Sequence, residues 1–335
     1  MKASAKKAGA GRILLRILGI FLAVILLAAA VLFVIPLTET VKIRTLEDSS
    51  DWMAKLDDSL RLNEIVLPGT HDSATQYCQL AFITKCQALS IGEQLEAGFR
   101  YLDIRLGSES EALRLKHGFT NCKTGPMPWA EPLLLEEVLK QCYAFLRAHP
   151  SETVVFAAKH EYGGMTDSVL AQTLEGQISR NAELWYTGDQ LPSLGEVRGK
   201  LVLMRRYRDE AGFGAKAGIP MLWTDQDEKE IVSGYAEKIQ QSTYLLRVQD
   251  RFCLGTENKW DCFRGGMLDA EADPESLSIH FLSTKGTWKY GHPYHYAKNL
   301  NSRLLELPSE ELRGWIIVDF ADAELAKHIW SANFK

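Results

Sequence analysis

Leu67-Pro68-Gly69-Thr70-His71-Asp72-Ser73 places a histidine and an aspartate just after a short apolar run, Glu64 to Leu67, that reads as a strand. Tyr101-Leu102-Asp103-Ile104-Arg105 repeats the arrangement, with charged residues ending a second run. Further strand candidates are Thr153 to Ala158, Leu201 to Met204, Tyr244 to Val248 and Trp315 to Val318, each short and rich in β-branched or aromatic residues. Helix candidates lie between them: Ile91 to Ala97, Asp167 to Asn181, and Pro132 to Ala148, which begins with proline and stops at His149-Pro150. Strand and helix alternating over about 290 residues predicts a parallel sheet, and at this size an irregular TIM-type (β/α) barrel is the economical α/β fold. Lys159, Arg206 and Asp250 each stand just past the C-terminal end of a strand candidate, where such a barrel carries its site. A doubly wound open sheet also holds ligands at strand C-termini, so the pattern ranks the two architectures without proving either.

The chain has 335 residues, 46% hydrophobic and 24% charged, which fits one large domain or two small ones and excludes collagen-like and disordered classes. A formal net charge of -5 and the lack of a nucleic-acid motif argue against a nucleic-acid partner. The N-terminus stands apart. Ile17 to Ile35 is uncharged and apolar, closed by Pro36, and is long enough to span a bilayer as one helix. Lys2, Lys6, Lys7, Arg12 and Arg16 precede it with no acidic residue among them. The positive-inside rule then puts the N-terminus in the cytoplasm and the rest outside. The competing reading is a cleaved signal peptide at Ala28-Ala29-Ala30, but the apolar run continues through Val31 to Ile35, which favours a retained anchor. The expected layout is a basic segment over 1–16, a transmembrane signal anchor over 17–37, a linker over 38–48 and a catalytic barrel over 49–335.

An exported domain permits disulfides, and the six cysteines include two close spacings, Cys78 with Cys86 and Cys253 with Cys262, either of which could staple a loop. Six cysteines allow 15 pairings and sequence does not choose among them; several free, buried thiols is the competing expectation. No C-x-x-C or Cys/His clustering supports a zinc site.

The residue types at the strand ends define a chemistry. Splitting a phosphodiester by an internal hydroxyl needs a group that takes the attacking proton, one that protonates the leaving oxygen, and fixed positive charge on the non-bridging oxygens. His71 and His117, the latter in Lys116-His117-Gly118, suit the proton roles because an imidazole titrates near neutrality. Arg105 suits the third with a planar fork that matches phosphate. Asp72 and Asp103 are placed to orient them. Taken singly, each has a structural explanation as a helix cap, an ion pair or a turn residue.

On these residues the chain resembles the bacterial phosphatidylinositol-specific phospholipase C family, from about Ser49 to the C-terminus. The resemblance rests on Pro68-Gly69-Thr70-His71-Asp72-Ser73, Asp103-Ile104-Arg105 and His117-Gly118. It continues in Glu152-Thr153-Val154-Val155 leading to Lys159, Arg198-Gly199-Lys200-Leu201 leading to Arg205-Arg206-Tyr207, Val248-Gln249-Asp250, and Gly314-Trp315-Ile316-Ile317-Val318-Asp319, in the family's order. It implies an irregular barrel and a phosphatidylinositol diacylglycerol-lyase. His71 would be the general base, oriented by Asp319, that activates the inositol 2-hydroxyl. His117 with Asp72 would be the general acid that protonates the departing diacylglycerol oxygen. Arg105 would neutralise the phosphate, and Asp103 would hold the surrounding shell. The product would be inositol 1,2-cyclic phosphate. Lys159, Arg206, Asp250 and Phe252 would line the inositol pocket, Phe252 standing where the family often has tyrosine.

In calcium-dependent relatives a cation fills the place that Arg105 takes here, so no metal and no cofactor are expected. The implied partners are phosphatidylinositol or a related inositol phospholipid and a membrane surface, met by a monomer. An alternative is a phosphodiesterase of the same barrel class acting on another head group, and a third a non-catalytic lipid-binding module. His149, His160, His280 and His328 are expected at the surface or at helix ends. Trp288 to Tyr296 reads as a lipid-touching rim or, equally, a packed barrel loop.

Overall fold

The computed structural model describes residues 2–31, 46–108, 112–231, 234–271, 275–287 and 291–334. One sheet contains β1 (Leu67–Thr70), β2 (Tyr101–Gly107), β3 (Arg114–His117), β4 (Thr120–Asn121), β5 (Val154–His160), β6 (Trp185–Tyr186), β7 (Leu201–Arg206), β8 (Ile219–Pro220), β9 (Glu237–Gln240), β10 (Leu245–Gln249), β11 (Leu277–Phe281) and β12 (Trp315–Val318). Helices α1 (Lys2–Ala29), α2 (Ala81–Thr84), α3 (Ile91–Glu96), α4 (Leu135–Ala148), α5 (Asp167–Ile178), α6 (Leu194–Val197), α7 (Thr256–Glu271), α8 (Pro293–Glu306) and α9 (Ala323–Trp330) complete the order. The spatial sequence β6-β7-β5-β2-β1-β12-β11-β10-β9 is parallel except at β9, with β3 and β4 added as an antiparallel flap on β2.

Strands covered on both faces must be apolar on both, and β5, β7 and β12 are buried along nearly their whole length. Alternate side chains go to opposite layers. Leu102, Ile104 and Leu106 of β2 face outward and pack with Val138, Leu139 and Leu146 of α4, whereas Tyr101 joins the interior with Val155, Ala157, Val202, Met204 and Ile317. Asp103 and Arg105 follow Tyr101 at two-residue steps and so point inward as well. The ladder then aligns Arg105 with Lys159 and Lys159 with Arg206, a row of three basic residues across three strands at the barrel's C-terminal rim.

Gly69 permits this closeness at the seam between β1, β2 and β12. A Cβ there would lie 2.8 Å from the Tyr101 Cβ and would overlap the Ile317 side chain.

The barrel is irregular and incompletely closed. Among the described residues no backbone ladder joins β8 to β9; instead the Gln241 amide exchanges hydrogen bonds with the backbone of Leu222 across the opening, 2.9 Å from its carbonyl and 3.2 Å from its N–H.

The N-terminal end of the barrel is sealed. Trp52 is fully buried, donates from Nε1 to the Gly98 carbonyl at 2.9 Å and stacks on Trp330. Beside it Arg100, also fully buried, donates to Glu152 at 2.9 and 2.8 Å and to the carbonyls of Leu95, Phe99, Ser49 and Ser50.

Several expectations are corrected. The first strand is Leu67–Thr70 and not Glu64 to Leu67, because Leu62–Glu64 turns as a 3-10 helix and the motif itself becomes the strand. Arg206 ends its strand and Lys159 is the last but one residue of its own, so neither follows a strand. α4 starts at Leu135, since Pro132 bridges Lys123 in extended form. β11 was not foreseen, and its His280 is fully buried and not at the surface; burial beside Lys259 lowers its pKa to about 3. Cys86, Cys253 and Cys262 carry free buried thiols, so neither close-spaced staple is made.

Within α1, Gly11–Ala29 is 19 residues long with mean hydropathy 2.4 and none of it is buried, so it is long and apolar enough to cross a membrane. The end of the expected anchor, the linker up to residue 45 and Trp288 to Tyr290 lie outside the described residues. The described remainder of the aromatic stretch is packed, with His292 stacked 5.0 Å from Phe82 and Tyr294 against Phe320.

Removing one partner of a buried ion pair strands the other charge. Glu152→Ala is therefore expected to destabilise the domain by about 3–5 kcal/mol in urea titration, whereas an exposed pair such as Arg303 with Glu257 should change stability by less than about 1 kcal/mol.

Candidate active site

At the C-terminal rim a cleft of about 400 Å³ is lined by His71, Arg105, His117, Lys159, Asp250, Phe252 and Asp319 among others. Seven of the ten sequence-predicted site residues thus meet there. Asp72 and Asp103 lie behind it, both essentially fully buried. Arg206 does not line it. Its guanidinium lies 3.6 Å from the centroid of the Trp223 ring and reaches Asp103 at 3.4 Å and Asp250 at 3.7 Å, so it braces carboxylates from below.

His71 follows β1, and its backbone N–H donates to the Val318 carbonyl at 3.0 Å, tying it to the neighbouring strand. Asp319 is the residue after β12, so adjacent strand ends bring His71 Nδ1 and Asp319 Oδ1 to 2.8 Å. With Nδ1 donating to that carboxylate, Nε2 presents its lone pair to Arg105 Nη2, 2.8 Å away. Gln87 donates from Nε2 to the carbonyls of His71 and Val318 and accepts from the Ala321 N–H, which locks the two strand ends together.

Asp72 adopts φ of +43°, a left-handed conformation that aspartate tolerates better than most residues. Its N–H donates to Asp103 Oδ2 at 3.1 Å, and its carboxylate stands between the cationic groups: Oδ1 is 3.0 Å from Arg105 Nε, while Oδ2 is 3.2 Å from His117 Nδ1 and 3.5 Å from His71 Nε2. One buried carboxylate therefore touches both imidazoles and the guanidinium. His117, at the end of β3, also has Nδ1 2.8 Å from the Thr84 carbonyl; that bond requires a proton on Nδ1 and leaves Nε2 for a ligand.

Burial works against protonation of His71, but Asp319 and Asp72 outweigh it together against Arg105, and its pKa is raised above the ordinary histidine value. Burial also pushes the Asp72 carboxyl up, in spite of Arg105 and both histidines. Asp103 is buried too, yet Arg105 and Arg206 hold it well below the usual carboxylate range.

Sequence reasoning missed Glu161, Cys86, Gln87 and Trp223. Glu161 accepts from Arg105 Nη1 at 3.2 Å, Lys159 Nζ at 2.9 Å and the Gly118 N–H at 3.0 Å, so it connects the flap to the rim. Its position two residues after Lys159 repeats the spacing of Asp103 and Arg105, a signal that could have found it. Trp223 donates from Nε1 to Asp250 at 3.0 Å from a segment with no readable periodicity. The Cys86 thiol lies 3.9 Å from His117 Nδ1, and burial pushes its pKa well up.

Comparison with known proteins gives a consistent result. Residues 69–207 match the family described as phosphatidylinositol-specific phospholipase C, X domain. The chain is similar to a Staphylococcus aureus 1-phosphatidylinositol phosphodiesterase, 28% identical over 294 residues covering 81% of this chain and 88% of that protein. It is 24% identical over 313 residues to the protein of the same name from Listeria monocytogenes, covering 85% of each. A solved variant of phosphatidylinositol-specific phospholipase C from Staphylococcus aureus superposes with TM-score 0.71 at 25% identity over 84% of this chain and 96% of that one. The chain is thus similar over most of its length to bacterial phosphatidylinositol-specific phospholipases C, and residues 69–207 match the X domain of that family.

Proposed function

We propose that this chain is a phospholipase C that cleaves phosphatidylinositol by attack of the inositol 2-hydroxyl on its own phosphodiester, releasing diacylglycerol and inositol 1,2-cyclic phosphate. The observation that carries the reading is Asp72 between His71, His117 and Arg105 at the mouth of one cleft. The names of the Staphylococcus and Listeria relatives support the substrate class.

In this reading His71 Nε2 takes the 2-hydroxyl proton. Asp319 fixes the tautomer that keeps Nε2 unprotonated, its lone pair engaged by Arg105 Nη2 until substrate takes that place, and stabilises the imidazolium that forms. His117, held by Thr84 and Asp72, donates from Nε2 to the leaving glycerol oxygen as its bond to phosphorus breaks. Arg105 offers its Nη groups to the non-bridging oxygens, whose charge grows in the transition state. Asp103 and Glu161 keep that guanidinium in one orientation. Lys159, Asp250 and Phe252 line the remaining cleft and receive the inositol ring, with Arg206 holding Asp250 in place. No step uses a metal.

Residues 49–335 are the catalytic domain of this proposal, acting as a monomer outside the cytoplasm, and 17–37 the anchor that keeps it at a lipid surface; tethering raises the effective substrate concentration.

Phosphorus NMR on phosphatidylinositol, phosphatidylcholine and glycerophosphoinositol is expected to give a cyclic phosphate from the first only, with and without EDTA. His71→Ala and His117→Ala should each lower kcat by about 10²–10⁴-fold. Cleavage of choline lipid alone, or loss of activity in EDTA, would move the assignment to another head group.

The pH profile supplies a second check. A base with a raised pKa is silenced as pH falls through that value, so the acidic limb of kcat/KM should lie above the ordinary histidine value of about 6.5. Asp319→Asn removes a cause of the rise and should move the limb to lower pH while lowering the plateau; an unmoved limb would contradict the pairing.

A further inference from the structure

We propose that Cys86, His117 and Asp72 form a binding site for a soft divalent cation of the zinc class, and that occupation of this site shuts off the phosphodiesterase. Nitrogen, sulfur and oxygen donors of these three side chains lie within 4.8 Å of one another. A tetrahedral ion at bond lengths of about 2.0–2.3 Å separates a nitrogen from an oxygen ligand by roughly 3.3 Å and from a sulfur by roughly 3.6 Å. His117 Nδ1 stands 3.2 Å from Asp72 Oδ2 and 3.9 Å from Cys86 Sγ, so these two edges lie within a few tenths of an ångström of those of the polyhedron, and the sulfur-to-oxygen edge is within 4.8 Å. The fourth leg opens on the cleft, which Cys86 and His117 both line.

Two further observations point to a cation. Asp72 is 1% exposed, and neither of its carboxylate oxygens receives an aligned hydrogen bond, although Arg105 stands near Oδ1 and the two imidazoles near Oδ2. A buried acceptor in that state gains much from a new positive partner. Fixed charge around the cleft also favours it, since the carboxylates of Asp72, Asp103, Asp225, Asp319, Glu161 and Asp250 outnumber the cations of Arg105, Arg206, Lys159 and Lys285.

A thiolate with an imidazole and one carboxylate selects a soft ion over magnesium or calcium. Binding releases the Sγ proton to solvent, leaves the neutral ring with its single proton on Nε2 in place of Nδ1, and breaks the bond from Nδ1 to the Thr84 carbonyl, so the imidazole loses its orientation and can no longer reach the imidazolium form that a proton donor needs. The alternative trio His71, Cys86 and Asp319 is poorer, because His71 Nδ1 and Asp319 Oδ1 already hold each other at 2.8 Å and Arg105 occupies the other ring nitrogen.

The inhibitory effect rests on the proposed phosphodiesterase; metal binding does not. The full chain in detergent is titrated with cobalt chloride and followed by absorption, while zinc chloride is titrated into the phosphatidylinositol assay. The expected result is a near-ultraviolet sulfur-to-cobalt charge-transfer band in the unaltered chain, reversed by EDTA, absent in Cys86→Ser and Cys86→Ala and weakened in His117→Ala. Zinc should inhibit the unaltered chain, and Cys86→Ser should stay active with a half-inhibitory concentration raised at least as much as the roughly 10–100-fold that loss of an outer-shell partner costs. No cobalt band in the folded unaltered chain, a band that persists without Cys86 or at full strength without His117, or equal zinc sensitivity in Cys86→Ser overturns the proposal. An active-site failure leaves the cobalt readout standing, which separates the two.

Discussion

Charge compensation around Arg105 is the constraint on which the catalytic rim depends. Asp72, Asp103 and Glu161 all lie within 3.2 Å of its guanidinium, and the two aspartates are nearly or wholly cut off from water. Desolvated carboxylates cost several kcal/mol each unless paired. The arginine offsets that cost while the carboxylates fix its orientation, so its charge is held in one place at the edge of the cleft. The backbone contributes as well: Asp72 and Phe320, the latter directly after Asp319, hold positive φ values of 43° and 50°. Left-handed residues of this kind are maintained only where their surroundings over-determine them.

The two ends of the barrel divide the work. At the N-terminal end Arg100 and Glu152 are fully sequestered, saturated by backbone carbonyls and sealed under Trp52; no ligand can reach them, and they hold the strands in register. At the C-terminal end similar pairs stay partly exposed around an open cleft, with 14% of the His71 side chain and 25% of the His117 side chain accessible. The same chemistry of paired charge thus yields rigidity below and reactivity above.

How far this could be read in advance depends on range. His71, Asp72, Asp103 and Arg105 are legible because each lies within a few residues of an apolar run whose end fixes its location. The inward direction of Arg105 follows from two-residue alternation, but the row it forms with Lys159 and Arg206 needs the register of two ladders, which local pattern does not contain. β11 was hidden because Leu277-Ser278-Ile279-His280-Phe281 alternates apolar and polar residues like a half-exposed strand, yet both of its faces are covered. The incomplete closure was equally invisible, since a gap between β8 and β9 is a missing set of hydrogen bonds and leaves no residue signature.

β1 and β12 are the first and last strands of the sheet in sequence and immediate neighbours in space. The contact between His71 and Asp319 therefore spans 248 residues. A ribosome must emit nearly all of the domain before His71 can meet Asp319, and loop closure of that length is among the slow events of folding. Until the final strand docks, a nascent chain carries both histidines without the Asp319 carboxylate that fixes the His71 ring.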